Sequence, residues 1–595
     1  MCGIVACHGS SEAIDFLLTG LGRLEYRGYD SAGVALADRS SGALHLRRVV
    51  GRVETLRERL AGETVPPGSG LGIGHTRWAT HGAVTEANAH PHHDCEGDVA
   101  VVHNGIIENA EELRAKLEMR GHRFASDVDS EVIAHLIEEA RSQGESLAVA
   151  VRAATNQLEG SWALAVLARA SDRLVVAANR SPLVLAKADD GWYVASDVAA
   201  LLERSREIRV LADGDVVEVN QRLSWTDASG HPVAPRPVLT ADWTVADVEL
   251  GPFRDYMEKE ISEQPAVAAR LLDHLLPLAA GGELWSRLSL SPFTRVRLVA
   301  CGTSLHAAAI TGRVLRSVGR FPTELVVASE HDEALEAGTL TVAFSQSGET
   351  ADVLAAVRRY GGPVLAITNI PHSSLARLAD ATIDCMAGPE VGVAASKTFT
   401  AQVLAGAVFA IAAASAAGRV DEVDAQRLLG ILADMPGRLQ RAHELSGPIA
   451  GVVARLVAEA PGFLFVARGP ALPYAAEGAL KVKELTYRWA EGYPAGELKH
   501  GPIALIDRGT PVFVVDGGDA AKLKANVAEM RARGAQILRV GGTDEGMFPL
   551  ACIPGLPWGP LEAVIALQHV ARALAICLGR DVDKPRNLAK SVTVE

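Results

Sequence analysis

Leu340-Thr341-Val342-Ala343-Phe344 runs directly into Ser345-Gln346-Ser347-Gly348-Glu349-Thr350, an apolar segment followed by a loop of hydroxyls and one glycine. A short apolar run bounded by turn residues predicts a strand buried on both faces, as in a parallel sheet. The same order occurs at Val296–Ala300, followed by Cys301-Gly302-Thr303-Ser304. It returns at Phe463–Ala467, where a loop leads to the helix-like run Ala475–Leu485, and at Pro511–Val515, followed by Asp516-Gly517-Gly518-Asp519. Strand, polar loop and long helix in alternation predict doubly wound parallel sheets, here in two copies. The copies differ in chemistry. The first offers hydroxyls, a glycine for close backbone approach and a helix start, which together suit a phosphate. The second offers acids and glycines, and must serve another purpose.

Residues 2 to 240 follow another pattern. Ala100–His103, Ser161–Leu167 and Arg173–Ala178 have the alternation or apolar content of strands, whereas Glu111–Met119 and Glu131–Ala140 have amphipathic helical spacing. Strands in runs with helices between them predict sheets packed face to face under helical cover, a four-layer αββα sandwich. Pro235 to Pro252 carries three prolines and no clear periodicity, and a linker is expected over residues 241–265. The fold class is therefore α/β and multidomain, as a length of 595 residues requires.

Bulk composition narrows the partners. The chain is 48% hydrophobic and 22% charged with a net charge of −14, which argues against a broad nucleic-acid-binding face. The seven cysteines show no CxxC pair and no disulfide-like spacing. No basic region followed by an apolar run opens the chain, and Val403–Ala417, the longest apolar stretch, is Ala-rich and shorter than a bilayer needs. A buried helix, no membrane partner and a cytoplasmic location are the expectations.

Cys2 follows Met1, whose removal would place a thiol beside a free α-amino group titrating near ~8, a base for a nucleophile. Three further segments accompany it: Arg23-Leu24-Glu25-Tyr26-Arg27-Gly28-Tyr29-Asp30-Ser31-Ala32-Gly33, His75-Thr76-Arg77-Trp78-Ala79-Thr80-His81-Gly82 and His103-Asn104-Gly105-Ile106-Ile107-Glu108-Asn109. In this order they resemble the glutaminase domain of N-terminal-nucleophile amidotransferases. The resemblance implies that Cys2 attacks the glutamine amide while the Asn104 side chain and the Gly105 N–H hold the oxyanion. It further implies that Arg77 binds the α-carboxylate, that Asp129 rather than the nearby Asp127 binds the α-ammonium, and that Thr80 and His81 line the pocket. Trp78 matches a residue that gates an ammonia channel; the plainer reading is a core tryptophan. The run His90-Pro91-His92-His93 lacks the i, i+4 spacing of a helical zinc pair, so no metal is expected there or elsewhere, and no cofactor.

The two hydroxyl-rich loops together resemble the sugar isomerase (SIS) domain, which implies that Ser304, Ser345, Gln346, Ser347 and Thr350 hold a phosphate and Thr303 the phosphate or the sugar. In the second copy, Glu477, Lys481 and Glu484 fall at i, i+4 and i+7, one face of a helix, and His500 follows in a Gly-bounded loop. The final run from Asp581 to Glu595 resembles the tail of glutamine–fructose-6-phosphate aminotransferases. That family implies ring opening by His500, proton transfer between C1 and C2 by Glu484 with Lys481 assisting, and an imine at Lys590. It divides the chain into a glutaminase domain (2–240), a linker (241–265, with Glu260-Ile261-Ser262-Glu263-Gln264-Pro265), a first SIS domain (266–430), a second (431–580) and a catalytic tail (581–595). It also implies L-glutamine and fructose 6-phosphate as substrates, and a homodimer in which His500 reaches the neighbour's site.

Two positions depart from the family pattern. Ser329-Glu330-His331-Asp332-Glu333-Ala334 is acidic where an aromatic and basic segment is usual, and Ala395 in Val393-Ala394-Ala395-Ser396-Lys397 lacks a hydroxyl. These are compatible with a housekeeping enzyme and with a pathway-specific copy acting on a related phosphosugar. A phosphosugar isomerase or deaminase would not need Cys2, Arg77, Asn104 and Asp129, and a phosphosugar-sensing module would need neither Cys2 nor Lys590.

Overall fold

Apolar and small residues alternate along β1 (Gly3–Gly9), β2 (Leu71–Arg77), β3 (Val99–Ile107) and β4 (Gly160–Ala168), so each strand can bury both faces. β1 and β2 pair antiparallel inside an eight-stranded sheet, and β3 and β4 pair antiparallel inside a six-stranded one. Ile4, Ala6 and Ile73 of the first sheet meet Val102, Ala165 and Leu167 of the second in one core. The outer face of the second sheet is covered by the helix Ala110–Met119, by α1 (Glu131–Ser142) and by Leu147–Thr155, and the helix Ala13–Leu24 lies on the first. The four layers are those expected from the sequence. The computed structural model describes residues 2–9, 13–38, 40–62, 70–79, 82–331, 337–518, 520–542 and 547–592. This sandwich, residues 1–249 together with the tail from Ala589, is one of two compact units.

The second unit, from Leu250 to Leu588, begins with α2 (Tyr256–Ala280). Its first parallel sheet has five strands, with β5 (Arg295–Ala300) and β6 (Thr339–Ser345) side by side at the point where strand order reverses. β5 runs into α3 (Gly302–Ser317) and β6 into α4 (Ala351–Tyr360). The 20-residue α5 (Lys397–Ala416) is apolar enough to cross a membrane by composition, yet it is buried, packed against α2 and α3. The second parallel sheet, of four strands, repeats the plan with β7 (Gly462–Ala467) and β8 (Pro511–Val515), and β7 leads to α6 (Leu472–Thr486). Phe465 and Phe513 stack at 4.7 Å across these strands, and α7 (Leu561–Cys577) closes the core.

Helical structure begins earlier than the expected boundary at 266. Residues 256–265 of the stretch read as linker form the start of α2, where Glu260 and Gln264 are fully buried. Both find partners far along the chain. Glu260 accepts the Val391 and Gly392 amides at 2.6 and 2.9 Å and the Ser396 hydroxyl at 3.2 Å. Gln264 donates to Gln568 Oε1 and accepts from Thr400 Oγ1, both at 2.6 Å. A buried polar group so satisfied costs little, whereas orphaning it costs ~1–3 kcal/mol or more.

Candidate active sites

In the first unit β1 brings Cys2 beside the end of β2. The Trp78 amide donates to Cys2 Sγ at 3.3 Å, and the thiol faces the Trp78 carbonyl at 3.6 Å. Burial pushes the thiol pKa up, while the Trp78 amide and the Arg77 charge pull it down and Asp129 adds to the rise. Arg77 and Asp129 are thus both within electrostatic reach of the sulfur. The Arg77 guanidinium is aimed by the Gly82 and Ala83 carbonyls, at 3.4 and 3.3 Å. Asp129 accepts the Ile107 amide at 2.8 Å and the Ser130 hydroxyl at 3.3 Å, whereas Asp127 is exposed.

The amide of Asn104 is oriented by a neighbour. His75 Nε2 lies 2.9 Å from the His103 carbonyl and 3.1 Å from Asn104 Oδ1, so it carries the proton and donates to both. Burial holds His75 neutral, with its pKa down to about 3. Asn104 Nδ2 is thereby turned towards Cys2 and donates to its carbonyl at 2.9 Å. Gly105 adopts φ 136°, and a Cβ there would stand 2.0 Å from the Ser161 carbonyl oxygen, so only glycine fits beside Asn104.

The Arg23–Gly33 segment is a brace. Glu25 accepts the Val53 amide at 2.8 Å, and Tyr26 and Arg27 bind the half-buried Asp197. Asp30 accepts the Ala79 amide at 2.8 Å while its own amide donates to the Arg77 carbonyl at 3.0 Å. Trp78 packs edge-on against Tyr29 at 5.5 Å and is half-buried. His90 and His92 sit in the core beside His75, with ring centroids 4.0 Å apart for His75–His90 and 4.4 Å for His90–His92. Thr80 and His81 lie outside the described residues.

In the second unit the hydroxyl loop occupies the C-terminal end of β6, next to the end of β5, where ligands bind in open parallel sheets. Ser345 Oγ lies 2.9 Å from Thr350 Oγ1 and accepts the Gly348 amide at 3.0 Å; Ser347 Oγ accepts the Glu349 amide at 3.1 Å. Gly348 (φ 65°) lets the loop press on Ser373, whose Oγ would be 1.9 Å from a Cβ. Gln346 is half-exposed at the lip, and Ser304 is buried in the first turn of α3.

Thr303 joins the two SIS copies. Its hydroxyl contacts Glu477 at 3.1 Å and accepts from Lys481 Nζ at 3.0 Å, both on α6. Lys481 reaches Glu484 at 2.6 Å and Glu477 at 3.5 Å. Burial presses the Lys481 pKa down, but Glu484, Glu477 and Glu390 outweigh it and raise it. Lys481 is therefore held as a cation, which makes its amine a poor nucleophile towards a carbonyl. His306, one turn beyond Thr303, faces Glu477 at 2.7 Å; the pair went unread because its members are 171 residues apart. Glu390, whose charge also acts on Lys481, was not singled out either. It accepts the Ser396 and Thr398 amides at 2.9 and 3.0 Å and so shapes the loop that carries Ala395.

The corresponding loop of the second copy is built differently. Asp516 accepts the Gly518 amide at 2.9 Å and pairs with Arg539 at 2.8 Å. His500 is exposed on the short turn Glu497–His500. Asp583 holds the tail by accepting the Tyr256 and Met257 amides that open α2, at 2.8 and 3.0 Å. Arg586 lies over the Tyr487 ring at 4.5 Å. Lys590 is buried in the first unit, where its amide donates to the Tyr26 carbonyl at 3.4 Å. His331 turns its Nδ1 to the Ala328 carbonyl at 2.9 Å; Asp332, Glu333 and Ala334 lie outside the described residues.

Residues 75–203 match a glutamine amidotransferase domain, and residues 289–412 and 457–551 each match the SIS domain. The chain is 42% identical over 612 residues to a Thermus thermophilus glutamine–fructose-6-phosphate aminotransferase (isomerizing), with the whole of both chains covered. It is 43% identical over 631 residues to the Mycobacterium bovis protein of the same name, again over both full lengths. Among solved structures, the C-terminal domain of glucosamine-fructose-6-phosphate aminotransferase from Francisella tularensis matches 57% of this chain and all of its own, at 30% identity and a TM-score of 0.52.

Proposed function

Because the chain belongs to the glutamine–fructose-6-phosphate aminotransferase (isomerizing) family, we propose that its two sites act in series to make glucosamine 6-phosphate and glutamate from fructose 6-phosphate and L-glutamine. The observation that carries this reading is the presence, in one chain, of a thiol beside an oriented Asn104 and a hydroxyl cradle coupled to a Glu–Lys–Glu face.

At the first site Cys2 Sγ attacks the side-chain amide of glutamine, and the oxyanion forms between Asn104 Nδ2 and the Gly105 N–H. Arg77 and Asp129 hold the amino acid's carboxylate and ammonium. Ammonia leaves, water cleaves the thioester, and glutamate is released. Trp78 guards the ammonia on its way to the sugar. At the second site Ser304, Ser345, Gln346, Ser347 and Thr350 hold the phosphate and Thr303 the sugar end. His500 opens the ring from a neighbouring subunit, Lys590 condenses with the C2 carbonyl with loss of water, ammonia adds to that imine and expels the lysine amine, and Glu484 carries the proton from C1 to C2. The charge on Lys481 supports Glu484 as a base and stabilises oxyanion character on the sugar. Seven cysteines, none in a disulfide, support a cytoplasmic protein.

Incubation with both substrates and mass identification of the products tests this reading. Glucosamine 6-phosphate and glutamate in equal amounts are expected, and glutamine hydrolysis is lost in Cys2→Ala. A Cys2→Ala enzyme that still hydrolyses glutamine overturns the assignment of the nucleophile.

A further inference from the structure

The glutaminase unit contains a second cluster of reactive side chains, away from the His90-Pro91-His92-His93 run. Cys95, in the turn before β3, His122, in the loop after the helix Ala110–Met119, and His135 and Glu138, at i and i+3 on α1, bring one ligand atom each within 4.8 Å of one another. Cys95 Sγ lies 3.7 Å from His122 Nδ1 and 3.7 Å from His135 Nδ1. Glu138 Oε2 lies 2.8 Å from His122 Nδ1 and 3.0 Å from His135 Nδ1.

We infer that Cys95, His122, His135 and Glu138 form a tetrahedral site for a divalent transition-metal ion, Zn²⁺ by preference, which fastens three segments of the glutaminase unit together. With Zn–S of ~2.3 Å and Zn–N of ~2.05 Å, a tetrahedron has S···N edges of about 3.6 Å, close to the spacing found. The N···O edges need about 3.3 Å, so the two His–Glu hydrogen bonds open by a few tenths of an ångström when a cation replaces their protons. One thiolate, two imidazoles and one carboxylate is a borderline-soft set suited to zinc rather than to magnesium or calcium.

The surroundings match a ligand site in two further respects. The Arg123 amide donates to Cys95 Sγ at 3.4 Å, the kind of backbone contact that a metal-bound sulfur accepts. Both histidines present Nδ1 to the centre and turn Nε2 towards a second carboxylate, His122 to Glu139 at 3.5 Å and His135 to Glu131 at 3.7 Å. A carboxylate behind the far nitrogen is what fixes the tautomer and raises the basicity of a metal-bound histidine. His135 is fully buried and Cys95 is half-buried, so the ion enters from the solvent side past the thiol. The site also borders the segment that carries Asp129. Glu131 accepts the Ala125 and Ser126 amides, both at 2.7 Å, and Asp129 lies between these residues in sequence.

Titration of the full chain with Co²⁺, with Zn²⁺ as competitor, tests the proposal. The expected result is one equivalent bound, intense tetrahedral d–d bands and a thiolate-to-cobalt charge-transfer band, with a higher melting temperature. In Cys95→Ser the charge-transfer band is lost and the affinity falls at least ~10-fold. Cys95→Ala, which leaves the buried histidines in place, serves as the second variant if the first folds poorly. Absence of a tetrahedral spectrum in the wild-type chain overturns the proposal, as does a spectrum unchanged by both substitutions.

Discussion

Gly105→Ala separates geometry from chemistry at the glutaminase site. The added Cβ would sit 2.0 Å from the Ser161 carbonyl oxygen, in the strand paired with β3. An ordinary contact needs about 3.2 Å, so β3 and β4 must part by more than ~1 Å locally, or Gly105 must rotate away from φ 136°. That backbone region is close to glycine-only and costs ~1–3 kcal/mol for any other residue. Either escape withdraws the Gly105 N–H from the oxyanion and tilts Asn104. Loss of one such donor lowers turnover by roughly 10²–10³. The assay is glutamate release under saturating glutamine, set beside isomerisation of fructose 6-phosphate by the same preparation and its melting temperature. A fall of that size in glutamate release, with isomerisation retained, is expected. A variant that hydrolyses glutamine at a near-wild-type rate would refute the reasoning, because the clash would then have been absorbed without moving the donors.

Trp78→Ala should uncouple the halves, so that glutamate exceeds amino sugar in a product count; a ratio kept at one to one would make Trp78 a core residue only. Borohydride added with fructose 6-phosphate should link the sugar to the peptide containing Lys590 and not to the cationic Lys481, and Lys590→Arg should prevent the link while glutaminase activity persists. Asp583, raised to about 6 by burial despite two amide donors, is protonated more readily in the folded chain than an ordinary aspartate. Its contribution to stability is therefore greatest below pH ~4 and falls as pH rises to ~6, by up to about 3 kcal/mol. Asp583→Asn should flatten the melting temperature of the second unit across that window, and an unchanged slope would assign the pH dependence elsewhere.

The parallel sheets were legible because a buried strand and the loop after it lie next to one another in sequence. Phe463–Ala467 and Pro511–Val515 needed only their apolar content and their glycines. Cys2, Asn104, Gly105 and Asp129 were singled out by short motifs and resemblance; the structure adds that Asp129 accepts the Ile107 amide while Asp127 is exposed. What sequence hid were polar residues whose partners are distant. Glu260 and Gln264 are polar, and nothing local predicts that partners 131 to 304 positions later will satisfy them in the core. His306 and Glu477, and the Cys95–Glu138 cluster, are likewise products of tertiary placement.

Asp516 carries a consequence for counting. In the second SIS copy its carboxylate already takes the Gly518 amide and the Arg539 guanidinium, donors of the kind that a bound phosphate would otherwise recruit. The duplicated fold is in this sense filled with an anion of its own, tethered and permanent. A phosphosugar arriving there would meet a like charge in the seat and would have to displace an ion pair to enter. On the proposed reading the doubled architecture has a single valence: equilibrium titration of one chain with fructose 6-phosphate should saturate at one molecule, while the sister fold carries α6, whose Lys481 donates to Thr303 of the first copy.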